Sequence, residues 1–363
     1  MTINIIVVEM VFLKEICVWF LITSTVWGDS ISPPTAELRN LHVQFSSSLH
    51  SNSGELPARN DSFFFFFKSY NRTYRQGSEE FHKRYKLFQE SLRRHHFLSS
   101  SSNATNTATY GINQFSDLSS EEFRTIYLRA LPVHVPKYSK PYKSSRKRLL
   151  PAKFDWRDKK VVTPVRNQLS CGGCWAFSIV GGIETVYALK GHPLLELSVQ
   201  QVIDCSPRDY GCNGGSTVSA LSWLNEIKVK LVQDSEYPFK AETGTCHHFP
   251  NSSFGVSIKG YEAHDFSAQE EEMAQKLMDS GPLAVIVDAV SWQDYQGGII
   301  QHHCSSSEAN HAVLITGFDR TGDVPYWIVK NSWGTTWGLD GYVHIKMGAN
   351  ICGIADSVAA VFL

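Results

Sequence analysis

The stretch QLSCGGCWAF, residues 168–177, sets Cys171 and Cys174 three positions apart. That spacing suits half of a zinc site, the dithiol of a redox protein, or a structural thiol beside a reactive one. The chain has eight cysteines, and Cys17 lies in an N-terminal run that reads as a removable signal. Cys171, Cys174, Cys205, Cys212, Cys246, Cys304 and Cys352 remain, an odd set, so in an oxidising compartment one thiol is left over after pairing. A cysteine at the first turn of a helix gains as a thiolate, because the unpaired N–H groups there favour an anion. Cys174 begins an apolar helical run and Cys171 sits in the loop before it, so Cys174 reads as the spare, activated thiol. Such a nucleophile needs a base. Among 14 histidines, His311 in ANHAVLITGF opens an apolar strand, where its ring can face a cleft. Asn331 in VKNSWG closes another strand and is followed by Trp333. A neutral amide there can fix the imidazole's tautomer without competing for its proton. A zinc reading lacks a second CxxC, and the tandem pairs His95–His96, His247–His248 and His302–His303 lack helical ligand spacing. No metal or cofactor is expected.

These groups need elements to carry them. CWAFSIVGGIETVYALKG (174–191) reads as one long apolar helix ended by Gly191. LSVQQVIDC follows, with Ser198 and Gln201 at capping-box spacing. From about residue 255 strands dominate: VSIKGY, PLAVIVDAV, HAVLITGF, PYWIVKNSW and YVHIKM. A helical half followed by a strand-rich half predicts two layered subdomains with a cleft between them. Residues 61–130 read as mainly helical, with Phe81, Tyr85, Phe88 and Leu92 on one apolar stripe and Glu80 placed to pair with Arg84. The run FFFFF (63–67) is expected to dock on a surface. Residues 132–151, rich in Pro, Lys and Arg, read as a linker open to proteolysis.

Charge is balanced, 34 Lys plus Arg against 35 Asp plus Glu, so nothing global points to nucleic acid or an anionic membrane. ICVWFLITSTVW (16–27) has the length of a signal-peptide core and is short for a membrane span, so no stable insertion is expected once it is removed. Sequons at Asn60, Asn71, Asn103 and Asn251 fit a secretory route.

NQLSCGGCWAF, GCNGG, NHAV and YWIVKNSWGTTWGLDGY resemble, in identity and order, motifs of the papain-like cysteine proteases, across nearly all of residues 150–363. Upstream, Glu80, Arg84 and Phe88 resemble the start of the helical motif in the propeptides of those enzymes, although Ser91, His95 and Ser99 depart from its later half. Gly111, Asn113, Phe115 and Asp117 match a second propeptide motif. The resemblance implies an α+β fold with a helical left domain, an antiparallel β-barrel-like right domain and the active site between them. It also implies a mainly helical propeptide that lies along the cleft and supplies a surface for the Phe run. The expected division is a signal peptide at 1–28, an inhibitory propeptide with linker at 29–149, and a peptidase domain at 150–363.

Carried over residue by residue, Cys174 is the nucleophile and His311 its base and later acid, resting as thiolate and imidazolium. Asn331 orients His311, and Trp333 shields that hydrogen bond from water. Gln168 and the Cys174 backbone N–H form the oxyanion hole. Gly214 and Gly215 accept an extended substrate, while Ser216, Thr217, Ala309 and Ser357 line a specificity pocket suited to apolar side chains. The family's disulfides would be Cys171–Cys212, Cys205–Cys246 and Cys304–Cys352, each worth ~4 kcal/mol in the chain-entropy model. The implied enzyme is a monomeric lysosomal endopeptidase, or a secreted one. It acts on proteins and peptides and is held by its own propeptide and by cystatin-type inhibitors. Two residues depart from the family: Gly173, which adds freedom beside the nucleophile, and Leu169, which removes it beside Gln168. The alternative is a thiol–disulfide oxidoreductase using Cys171 and Cys174.

Overall fold

The computed structural model describes residues 59–100, 107–132, 149–249 and 254–363. The signal-like run with Cys17, the sequons at Asn103 and Asn251, and most of the basic linker lie outside them. Among the described residues no helix is long and apolar enough to cross a membrane.

The N-terminal segment is built on three helices, α1 (Arg59–Ser69), α2 (Glu79–Ser100) and α3 (Ser120–Tyr127), with the short strand β1 (Thr109–Tyr110) before α3. Five consecutive phenylalanines cannot share one helix face, since each step turns by about 100°. Phe63 and Phe66 are buried, whereas Phe65 is 52% exposed. The run docks on α2, not along the cleft: Phe63 and Phe66 pack on Phe88, with Phe81, Tyr85 and Leu92 against the cluster. Arg84 pairs with Glu80 at 2.6 Å and with Glu122 at 2.8 Å, and donates to the Asp117 carbonyl at 2.9 Å. That one guanidinium ties α2, the turn at 111–117 and α3 together. A complete capping box, Ser119 with Glu122, starts α3.

The remaining helices are α4 (Cys174–Leu189), α5 (Val199–Cys205), α6 (Thr217–Glu226) and α7 (Glu270–Ser280). The strands are β2 (Lys153–Asp155), β3 (Gly260–His264), β4 (Leu283–Val287), β5 (Tyr295–Gly297), β6 (Ile299–Ile300), β7 (His311–Asp319), β8 (Tyr326–Lys330), β9 (Tyr342–Lys346) and β10 (Val358–Phe362). One sheet runs β3-β10-β4-β7-β8-β9-β6, with β2 also on β7, and a second small sheet pairs β1 with β5. Pairing is antiparallel except between β6 and β9. At Ser198 the side chain accepts from the Gln201 N–H at 2.9 Å. The return arm of that box is not made, because the Gln201 side chain instead donates to Lys230 O and accepts from Val232 N.

The centre of the sheet is buried on both faces. Leu283, Val285 and Val287 of β4, Val313 and Ile315 of β7, and Val358 and Ala360 of β10 join one core, with Trp292, Trp327, Trp333 and Trp337. The intervening Ala284, Ile286, Ala312, Leu314, Ala359 and Val361 join the other core, with Ile179, Val180 and Ile183 of α4. Successive side chains of a strand point to opposite faces, so a strand covered on both sides must be apolar throughout. The two subdomains therefore share β4, β7 and β10 as a common wall, and α4 lies against it. The disulfides are Cys171–Cys212, Cys205–Cys246 and Cys304–Cys352, the pairs implied by the resemblance, and among the described cysteines Cys174 is free.

Candidate active site

Cys174 is the first residue of α4, and its N-cap, Gly173, supplies no side-chain cap, so the helix's positive end is left to the thiol. Cys171 is committed to Cys212, which removes it as a redox partner for Cys174. The φ of Gly173 is −87°, open to any residue. Space, not conformational freedom, is what matters there: a Cβ would meet Ile203 Cδ1 at 2.9 Å. Leu169 is held at φ +50°, with its N–H on Asn167 Oδ1 and half its surface exposed.

His311 opens β7 and Asn331 directly follows β8, the neighbouring strand. His311 Nε2 lies 2.8 Å from Asn331 Oδ1, in a fully buried contact. Asn331 Oδ1 also accepts from the Ser332 N–H at 2.8 Å. An acceptor at Nε2 fixes the proton there and leaves Nδ1 as the basic nitrogen. Trp333 stacks on the ring, with centroids 4.6 Å apart and planes 29° apart, and Trp292 and Trp337 close around it. Gln168 is equally fixed: its Oε1 accepts from Ser332 Oγ at 2.7 Å and its N–H donates to Ser332 O at 2.8 Å. Its Nε2 donates to Cys171 O at 3.0 Å and reaches the Tyr127 carbonyl at 3.4 Å.

Tyr127 belongs to the N-terminal segment, and the chain after it runs through the site as a strand. Gly215 exchanges two hydrogen bonds with it, N–H to Arg129 O at 3.2 Å and O from Leu131 N at 2.9 Å. Ala130 N donates to Asn310 O at 2.9 Å. Gly214, at φ +126°, admits this approach, since a Cβ would sit 2.5 Å from Arg129 O. Ala130 is buried in the helical-side core, against which Ala309 packs. Ser216 caps α6, Thr217 is its buried first residue with an unpartnered hydroxyl, and the Ser357 backbone carbonyl accepts from the Ile286 N–H. Phe115 and Phe123 meet Trp333 edge-on at 5.5 and 5.2 Å, and Gln114 donates to Trp333 O.

This cover changes the electrostatics. Burial pushes the Cys174 thiol up to about 11, against backbone hydrogen bonding from Ala312, Arg129 and Trp175 that favours the thiolate. Burial likewise pushes His311 down to about 4, opposed by Asn331 and the Tyr127 backbone. Nδ1 of His311 has no hydrogen-bond partner. In this covered form burial therefore favours the neutral thiol and the neutral imidazole over the expected thiolate–imidazolium pair. Asn310, whose carbonyl takes the Ala130 N–H, was not singled out from sequence; its position before His311 was the only available signal. The buried charges Glu184 and Lys330 were also missed.

The fold and the site together define a thiol peptidase carrying its own inhibitory segment. The chain belongs to the papain family of cysteine proteases: the model of that family matches residues 150–362, and the cathepsin propeptide inhibitor domain matches residues 63–123. It is 66% identical over 278 residues to cathepsin O of Homo sapiens, covering 76% of this chain and 87% of the relative. It is 61% identical over 277 residues to cathepsin O of Mus musculus, covering 76% and 88%. Digestive procathepsin L2 from Tenebrio molitor larval midgut superposes with a TM-score of 0.75 at 32% identity, over 84% of this chain and all of that one. The recombinant stem bromelain precursor superposes at 0.74, also at 32% identity, over 84% and 99%.

Proposed function

We propose that residues 29–149 form the inhibitory propeptide and residues 150–363 the mature enzyme, a lysosomal endopeptidase of intracellular protein degradation reached through the secretory route. A cathepsin O-like sequence supports this location, and secretion is the other destination of that route. In the mature enzyme Cys174 passes its proton to His311 Nδ1, and sulfur attacks the peptide carbonyl. The oxyanion that forms is met by Gln168 Nε2 and the Cys174 N–H. The imidazolium then protonates the departing amine, leaving a thioester that water, activated by His311, hydrolyses. Asn331 holds the ring, and Trp333 keeps water from the Asn331–His311 bond. Protein substrates lie extended on Gly214 and Gly215, with one apolar side chain in a pocket of Ser216, Thr217, Ala309 and Ser357. The enzyme acts as a monomer open to cystatin-type inhibitors.

The observation that carries this reading is the main chain of Tyr127–Leu131, which takes the hydrogen bonds of Gly215, Asn310 and Gln168 that a substrate would need. The test is an epoxide-type thiol-protease probe applied to acid-matured protein, followed by peptide mapping. Labelling on Cys174 together with peptide hydrolysis is expected, and both are lost in Cys174→Ala. Folded, matured protein left unlabelled at Cys174 overturns the reading.

A further inference from the structure

Beneath the site lies a set of buried charges that the chemistry above does not use. Lys330 Nζ donates to Thr163 O at 2.7 Å and to Thr163 Oγ1 at 3.1 Å. Thr163 Oγ1 donates to Glu184 Oε2 at 2.5 Å. Glu184 Oε1 accepts from Arg166 at 2.8 Å and from the Leu197 N–H at 2.8 Å. Thr163 and Glu184 are almost wholly inaccessible, and Lys330 is only 9% exposed. A cavity of about 20 Å³ touches Arg166, Ser178, Lys330, Asn331 and Ser332.

Burying such charges is costly, and well-packed apolar residues of similar volume often serve stability as well or better. What these groups share is where they attach. Lys330 immediately precedes Asn331. Arg166 lies two residues before Gln168, and its carbonyl accepts from the Gly334 N–H, just past Trp333. Glu184 lies on α4, the helix that Cys174 begins. Asn331 depends on such support, because its Nδ2 is buried without a partner and only Oδ1 holds the amide. Burial pushes Lys330 down to about 8, with Glu184 and Glu196 favouring its charge and Arg166 opposing it.

Resting on the proposed function, we propose that Lys330 is a positioning residue. The relay Lys330–Thr163–Glu184–Arg166 sets the Asn331–His311 arm and the Gln168 donor in register with Cys174 across the two halves of the cleft.

The test uses full-length zymogen, matured at acid pH, with Lys330→Met, Thr163→Val, their double variant and Lys330→Arg. Three quantities are read: kcat and KM on a fluorogenic peptide amide, the pH dependence of Cys174 alkylation by iodoacetamide, and Tm. Displacement of a catalytic group by about 1 Å costs up to ~10²-fold, so kcat should fall about tenfold or more while KM changes little. The alkylation limb should move to higher pH, the double variant should be no worse than Lys330→Met, and Lys330→Arg should recover part of kcat. Thr163→Val keeps its shape, so it carries the test if Lys330→Met does not fold. A lower Tm with wild-type kcat and wild-type alkylation in Thr163→Val overturns the proposal and leaves only a structural role. Wild-type protein that is alkylated at Cys174 yet cleaves no peptide fails the enzyme reading instead.

Discussion

Gln168, the proposed oxyanion donor, shows how a single amide is held in place. Both of its polar ends are spoken for: Ser332 holds Oε1, and Nε2 donates to Cys171 O and reaches the Tyr127 carbonyl of the N-terminal segment. A donor fixed before the reaction begins loses nothing to reorganisation when charge develops. Gln168→Ala in the matured enzyme should lower kcat by ~10²–10³, about 2.7–4 kcal/mol, with KM within a few-fold. Steady-state kinetics on a peptide amide checks this, and a loss confined to KM would assign Gln168 to substrate binding instead. At this scale the sequence was informative where chemistry restricts residue type. Cys174 stood out as the odd thiol at a helix start, and His311 and Asn331 as polar residues at the ends of apolar strands. The buried Lys330 and Glu184 gave no such sign. Their meaning lies in a contact between distant segments, and either residue read alone is an ordinary surface charge. The disulfide pairing was likewise not derivable from cysteine spacing and came only through resemblance.

Helix α2 grips the enzyme through two residues in the degenerate half of its motif. Arg94 makes two bonds to the wholly buried Asp294, at 2.5 and 3.1 Å. His95 Nε2 lies 3.0 Å from Asp294 Oδ1. Burial alone would raise the Asp294 pKa, but His95 and Arg94 outweigh it and hold the carboxyl below the usual aspartate range. The sign follows from linkage. A carboxyl with a depressed pKa in the docked state contributes fully above its free value, about 4, and loses that contribution as pH falls below it. The latch therefore holds through neutral and mildly acidic pH and slackens only in stronger acid. Asp294→Asn should loosen docking at pH 5–6 by about tenfold or more, less than the ~3–5 kcal/mol of a fully buried pair because Arg94 is partly exposed. Its zymogen should convert faster than wild type at that pH, followed by gel and by activity, with the difference shrinking below pH ~4. Equal conversion rates would show that Asp294 does not hold the propeptide. The sequence marked this stretch only as a departure from a motif, since a histidine there gains meaning only from the carboxylate opposite.

Across the whole molecule, the least legible feature was the shared wall. Apolar runs at β4, β7 and β8 read as strands, but the same runs could not say that two cores meet on one sheet, because burial on both faces erases alternation. Helix α7 escaped for the opposite reason: EEEMAQKLMDS is polar enough to pass as a loop, and of its six buried residues only Met273, Ala274 and Leu277 are apolar, beside Glu270, Gln275 and Lys276. The consequence for function is that inhibition acts at long range in sequence and short range in space. Residues 115–131 dehydrate a thiol and an imidazole contributed by α4 and β7. Between pH ~5 and ~10 the covered pair should be neutral, since His311 is pushed down to about 4 and Cys174 up to about 11. Removing the cover restores water as a stabiliser of charge, and the thiolate–imidazolium pair should then become the resting form. At pH 6 a thiol of pKa about 11 is ionised in only ~1 part in 10⁵, so iodoacetamide should alkylate Cys174 in the zymogen at least ~10³-fold more slowly than in the matured enzyme. The zymogen rate should rise steadily with pH toward the alkaline range, while the matured enzyme should react from acid pH onward. Mass spectrometry of the Cys174 peptide against time gives both rates, the six disulfide-bonded cysteines serving as an internal blank. Equal rates in the two forms would mean that the propeptide blocks substrate without altering the nucleophile, and inhibition would then be steric alone.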